Sequence, residues 1–115
     1  MSAGPRVVLV GPPGAGKSTA ARSLAARWGL TARDTDADVE ATAGRPISEI
    51  FVDDGEPVFR AMERAAVAAA LTEHDGVLAL GGGAVMDPVT QEALALYRAS
   101  GGVVVFLDVS LAHAA

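Results

Sequence analysis

Runs of apolar, mostly β-branched residues alternate along this chain with stretches in which small and apolar residues return every three or four positions. Arg6-Val7-Val8-Leu9-Val10 shows no polar alternation after its first residue and meets Gly11 at once, the pattern of a central strand buried on both faces. In residues 17–28, Ala20, Ala21, Leu24, Ala25 and Trp28 recur at helical spacing, and Gly29 follows as the C-terminal stop. Residues 31–36 predict a second strand, made less apolar by Arg33. Short helices follow over 37–43, ending at Gly44, and over 47–52 after Pro46, with a turn at Asp53-Asp54-Gly55. A longer helix is predicted over 57–72, where proline fits the first turn because those N–H groups lack intrahelical partners. Its apolar face reads as Val58, Met62, Ala65, Ala66 and Ala69. His74-Asp75-Gly76 makes a turn, residues 77–80 a buried strand, Gly81-Gly82-Gly83 a loop, 88–99 a helix and 103–109 a last strand.

Strands alternating with helices make parallel β-α-β units, so the fold class is α/β with a parallel sheet flanked by helices. A chain of 115 residues has room for one such domain, taken as residues 1–115. The formal charge of −5 argues against an electrostatic nucleic-acid partner, which needs a basic patch. No run approaches the ~20 apolar residues of a membrane span. The chain has no cysteine, which removes disulfides, thiolate nucleophiles and cysteine-ligated zinc and fits a reducing cytoplasm. His74 and His113 belong to no motif and read as surface residues.

Between the first strand and the first helix lies Gly11-Pro12-Pro13-Gly14-Ala15-Gly16-Lys17-Ser18-Thr19, which satisfies G-x-x-x-x-G-K-[ST] in the context that pattern requires. The resulting P-loop turns backbone N–H groups of Gly14, Ala15, Gly16 and their successors toward phosphate oxygens, and the helix dipole adds positive potential. Lys17 is placed to reach the β- and γ-phosphates of ATP, Ser18 to ligate Mg²⁺ through its hydroxyl, and Thr19 to support the α-phosphate side. Lys17 is also the only lysine, the other eight Lys/Arg positions being arginine. A compact ammonium suits a phosphate cradle where a planar guanidinium would crowd it.

Three further segments carry chemistry. Asp34 and Asp36 flank Thr35 at the end of the second predicted strand, so alternation puts both carboxylates on one face at the sheet's C-terminal edge, where ligands of open α/β sheets bind. The alternative is that Asp34 caps the next helix and Asp36 is a solvated first-turn acid. Arg60 shares a helix face with Glu56 and Glu63 and could meet a carboxylate with two parallel hydrogen bonds, or belong to a surface ion-pair ladder. The three glycines at 81–83 would let a ligand approach the backbone closely.

Taken together, the P-loop, Asp34-Thr35-Asp36, Gly55-Glu56-Pro57-Val58-Phe59-Arg60 with Glu63, and Leu80-Gly81-Gly82-Gly83-Ala84-Val85 resemble shikimate kinase in order and spacing over nearly the whole chain. The resemblance implies a P-loop NTPase fold and transfer of the ATP γ-phosphoryl group, with Mg²⁺, to the 3-hydroxyl of shikimate on the way to chorismate and the aromatic amino acids. It further implies that Asp36, with Lys17, is catalytic: Asp36 holds the acceptor hydroxyl and serves as base. Arg60 binds the shikimate carboxylate, Gly82 and Gly83 give backbone contacts, and Asp34 orients the water shell of Mg²⁺. Phe51 and Phe59 would line the pocket and Glu63 would steady Arg60, roles balanced by ordinary core or surface duties. The expected protein is a cytoplasmic monomer with a small-molecule substrate and neither nucleic-acid nor membrane partner.

One departure concerns the family's arginine-bearing lid, its adenine-contacting loop and last helices, which would fall after Ala115. The expectation is a C-terminally truncated kinase that turns over poorly alone and binds phosphate weakly. Rival readings are a P-loop ATPase, for which Asp108 would be the metal-binding aspartate but Val109 stands where a catalytic glutamate belongs, and a non-catalytic nucleotide-binding module.

Overall fold

Strands β1 (Val7–Val10), β2 (Ala32–Asp34), β3 (Val77–Ala79) and β4 (Val104–Phe106) form one parallel sheet in the order β2-β3-β1-β4. The computed structural model describes residues 4–12 and 16–107. Gly14, Ala15, Asp108, Val109 and His113, named above, lie outside the described residues. Helices α1 (Lys17–Trp28), α2 (Thr35–Ala43), α3 (Ile47–Asp54), α4 (Glu56–Glu73) and α5 (Pro88–Ala99) connect the strands, and a single 3₁₀ turn, Ala84–Met86, follows the glycines.

β1 lies inside the sheet, with Val8 opposite Leu78 of β3 and Leu9 opposite Val105 of β4. Its unbroken apolar run follows from that position, because each side chain is taken up by one of two cores. Val8, Val10, Leu78 and Leu80 face Val67 and Ala70 of α4 and Leu94 and Tyr97 of α5. Val7, Leu9, Val77 and Ala79 face Ala21 and Ala25 of α1. A third cluster, Val39, Ile50 and Phe59, joins α2 and α3 to α4. Beyond β1 the covering is thinner: Trp28, at the far end of the face predicted for α1, Val103 and Phe106 are exposed.

The structure corrects three expectations. The second strand ends at Asp34, not Asp36, and α2 begins at Thr35. The reason is local: the Asp34 carboxylate accepts the Asp36 N–H at 2.8 Å, an N-cap, and Asp36 and Asp38 place negative charge in the first turn. The face of α4 is also rotated, since Phe59, Glu63, Val67 and Ala70 are buried while Val58 is exposed. With alanine on most sides, the helix offered little polarity contrast, and its choice of face was made by neighbours on two sides, α2 with α3 and the sheet. Finally, His74 is buried rather than superficial. Its Nε2 stands 3.2 Å from the Thr31 carbonyl oxygen and 3.1 Å from that of Val77. With carbonyl acceptors on both sides Nε2 carries the proton and donates, tying the end of α4 to the entries of β2 and β3.

Candidate active site

The C-terminal ends of β1, β2 and β3 bring the P-loop, the aspartates and the glycines to one edge of the sheet. α1 starts directly from the loop at Gly16, whose φ of 84° is left-handed and whose missing Cβ would meet nothing within 4 Å. Among the described residues no side chain caps that helix. Its first turn, at the positive end of the helix dipole, lines an open space, the arrangement that receives an anion. The space is a cavity of about 400 Å³, floored by Gly16, Lys17, Ser18 and Thr19 and walled by Asp34, Asp36 and Gly82.

Lys17 is only 9% exposed, and its ammonium donates to the carbonyl oxygens of Gly11 at 2.8 Å and Pro12 at 2.9 Å. Burial holds its pKa below the ordinary lysine value, against the opposing pull of Asp36 and, more weakly, Asp34. Opposite it, Ser18 donates its hydroxyl to Asp34 at 2.5 Å. Among the described residues no cluster of three or more His, Asp or Glu side chains is placed to hold a metal. A hydroxyl and a carboxylate oxygen are nonetheless hard ligands of the kind Mg²⁺ takes when phosphates and water complete its shell.

Asp36 reaches the cavity from the first turn of α2. The capping alternative is correct for Asp34, yet both carboxylates still line the cavity, so capping and site geometry coexist. The Asp36 carboxyl is pushed above the usual range, first by burial, then by the charges of Asp34 and Glu63, with Lys17 pulling the other way.

Arg60 and Gly83 sit beside this cavity rather than in its lining. The Arg60 guanidinium donates to Glu63 at 2.8 Å and to Glu56 at 3.3 Å, and its Cζ lies 5.2 Å from the centre of the Phe59 ring. Phe59 in turn packs on Phe51 with ring centres 4.8 Å apart. Glu63 is 1% exposed, so this is not a solvent-washed ion-pair ladder. Gly81 lies between the two halves: a β-carbon there would run into the Asp36 carboxylate and stand 3.1 Å from Oε2 of Glu63. Its N–H donates to the Thr35 hydroxyl at 3.0 Å. Thr35 is fully buried, although in the sequence it reads only as the spacer between aspartates. The only available signal was a threonine at a place where helix N-termini ordinarily keep polar side chains in water.

The shikimate kinase family model matches residues 13–115. A curated shikimate kinase of Saccharopolyspora erythraea is 60% identical over 111 residues, covering 96% of this chain and 61% of that protein. One of Thermobifida fusca is 52% identical over 115 residues, covering all of this chain and 64% of the relative. The chain thus spans between 46% and 64% of the length of the curated relatives it matches. Among solved structures, shikimate kinase from Acinetobacter baumannii in complex with shikimate superimposes with a TM-score of 0.80 at 36% identity, covering 90% of this chain and 56% of that one. Shikimate kinase from Bacteroides thetaiotaomicron gives a TM-score of 0.81 at 29% identity.

Proposed function

The chain belongs to the shikimate kinase family, and on that footing we propose that its site accepts ATP with Mg²⁺ on one side and shikimate on the other, for phosphoryl transfer to the 3-hydroxyl. The observation that carries it is the meeting of Lys17, Ser18 and the uncapped start of α1 with Asp34 and Asp36 around one cavity, beside Arg60.

The nucleotide side follows from helix physics. The open amides of α1 and the Lys17 ammonium supply fixed positive potential to phosphate oxygens. Ser18 and Asp34 would hold Mg²⁺, which when bound spreads charge across the transferring phosphates. On the acceptor side, Arg60 offers a guanidinium to a carboxylate, and Glu63, buried and bonded to it, fixes its direction. Gly82 and Gly83 leave room for backbone contacts to hydroxyls. Asp36, raised in pKa and within electrostatic reach of Lys17, is a stronger proton acceptor than a solvated aspartate and would hold the acceptor hydroxyl. Phosphoryl transfer asks chiefly for such positioning and neutralisation. The enzyme would work in the cytoplasm, as a monomer.

Isothermal titration of the 115-residue chain tests the proposal. Shikimate binding that disappears in Arg60→Ala, together with ADP·Mg²⁺ binding that survives it, supports the assignment. Nucleotide binding with no response to shikimate would instead leave a nucleotide-binding module. Shikimate-dependent ADP release by the protein that carries this chain checks the reaction itself.

A further inference from the structure

We propose that Thr35 is a positioning residue for the acceptor side, its buried hydroxyl fixing the glycine turn against Asp36. The inference rests on the function proposed above for Asp36, Gly82 and Gly83.

Gly81 opens the turn that carries Gly82 into the cavity and Gly83 against Arg60. It is itself buried, so its N–H must find a protein partner, and that partner is Thr35 Oγ1, 46 residues away in sequence. Thr35 is held in place by independent contacts. It is the first residue of α2, with no exposed surface, and its chain neighbours Asp34 and Asp36 are joined by the capping bond. The bond to Gly81 therefore couples two pieces of backbone whose relative placement decides the site: the start of α2, which aims Asp36, and the turn, which offers Gly82 and Gly83.

Among the described residues no other hydrogen bond ties the turn to α2. Its other backbone bonds run within it, from Ala84 N–H to the Gly81 carbonyl and from Met86 N–H to that of Gly83, or to α5, where Gln91 donates to the Val85 carbonyl. They fix the shape of the turn without tying it to α2. The close fit at Gly81 makes the coupling sharp, since the Asp36 and Glu63 carboxylates already fill the space where a side chain would stand. A turn released from Thr35 can drift away from them only by moving Gly82 and Gly83 as well.

The test compares Thr35→Val, close in shape but without the hydroxyl, with Thr35→Ser, which keeps it. Valine leaves the Gly81 N–H buried and unpaired, so its amide should exchange at least about tenfold faster in T35V than in wild type, with T35S restoring protection. Shikimate affinity should fall about tenfold or more in T35V and recover in T35S, while ADP·Mg²⁺ affinity stays within about threefold in both. A purely structural threonine would weaken both ligands together, and that outcome overturns the proposal. So does unchanged Gly81 exchange in T35V. Should T35V not fold, rapid exchange of Gly81 in the wild-type protein overturns it, and protection lost alongside shikimate affinity in Thr35→Ala supports it. If wild type binds no shikimate, the assigned substrate fails, while Gly81 exchange still decides whether Thr35 holds the turn.

Discussion

The guanidinium of Arg60 lies so close to Gly83 that a β-carbon at that position would stand 2.7 Å from Nη2 and 2.8 Å from Nη1. Because the obstructing atoms end a long side chain, Gly83→Ala can be accommodated by swinging the guanidinium aside. The expected result is a stability change below about 1 kcal/mol with a loss of shikimate affinity of about tenfold or more. Urea unfolding and titration on the same variant measure the two effects, and equal losses would place Gly83 in folding rather than recognition.

Lys17→Met removes the charge of the chain's single lysine, which lines the cavity. A charge-assisted hydrogen bond contributes about 1.5–3 kcal/mol, so ADP affinity should fall by roughly 10- to 100-fold. Lys17→Arg should not restore it, because the planar group cannot occupy the point between the Gly11 and Pro12 carbonyls. Competition against a fluorescent nucleotide reads both variants, and near-wild-type affinity in K17R would count against the geometric reason.

Glu63→Ala takes away the buried partner of Arg60. Deleting one member of a fully buried pair costs about 3–5 kcal/mol, but the Arg60 side chain is 27% exposed and keeps Glu56, so about 1–3 kcal/mol of folding stability is the expected loss. Chemical denaturation gives the value directly. A cost below about 0.5 kcal/mol would mean that Arg60 holds its place without Glu63.

Asp87 predicts an acid-sensitive element. It caps α5 through the N–H groups of Val89 and Thr90 and accepts a hydrogen bond from Arg64 at 2.5 Å. The Arg64 bond, followed by the two amides, holds its carboxyl below the usual aspartate range. A carboxyl depressed in the folded state stabilises fully above its unfolded pKa and loses that contribution as pH falls toward the folded value. Thermal unfolding of wild type and Asp87→Asn should therefore diverge most near neutrality and converge as the pH drops below about 4. A gap that widens in acid would reverse the assigned sign.

Local chemistry was the legible part. The start and end of α1 could be read because the P-loop, the helix repeat and Gly29 are all short-range signals, and the interior placement of β1 followed from its unbroken apolar run. Asp36 stands out in the sequence for a reason the structure replaces, since alternation along a strand gives way to an N-cap that still brings both aspartates to the cavity. What stayed hidden depends on partners distant in sequence: the Thr35 bond to Gly81, the His74 bond to Thr31, and the rotation of α4 that buries Glu63. An alanine-rich helix and a threonine between two aspartates carry no mark of the neighbours that decide their burial.

The ammonium of Lys17 already rests on two carbonyl oxygens of its own loop. One of the three N–H groups of that ammonium is then left for an arriving phosphate, while the other two hold the cation in place to meet it. Substitutions that loosen the hold of Gly11 and Pro12 would then lower stability and nucleotide affinity together, because the folding of the loop and binding to it share a single nitrogen atom.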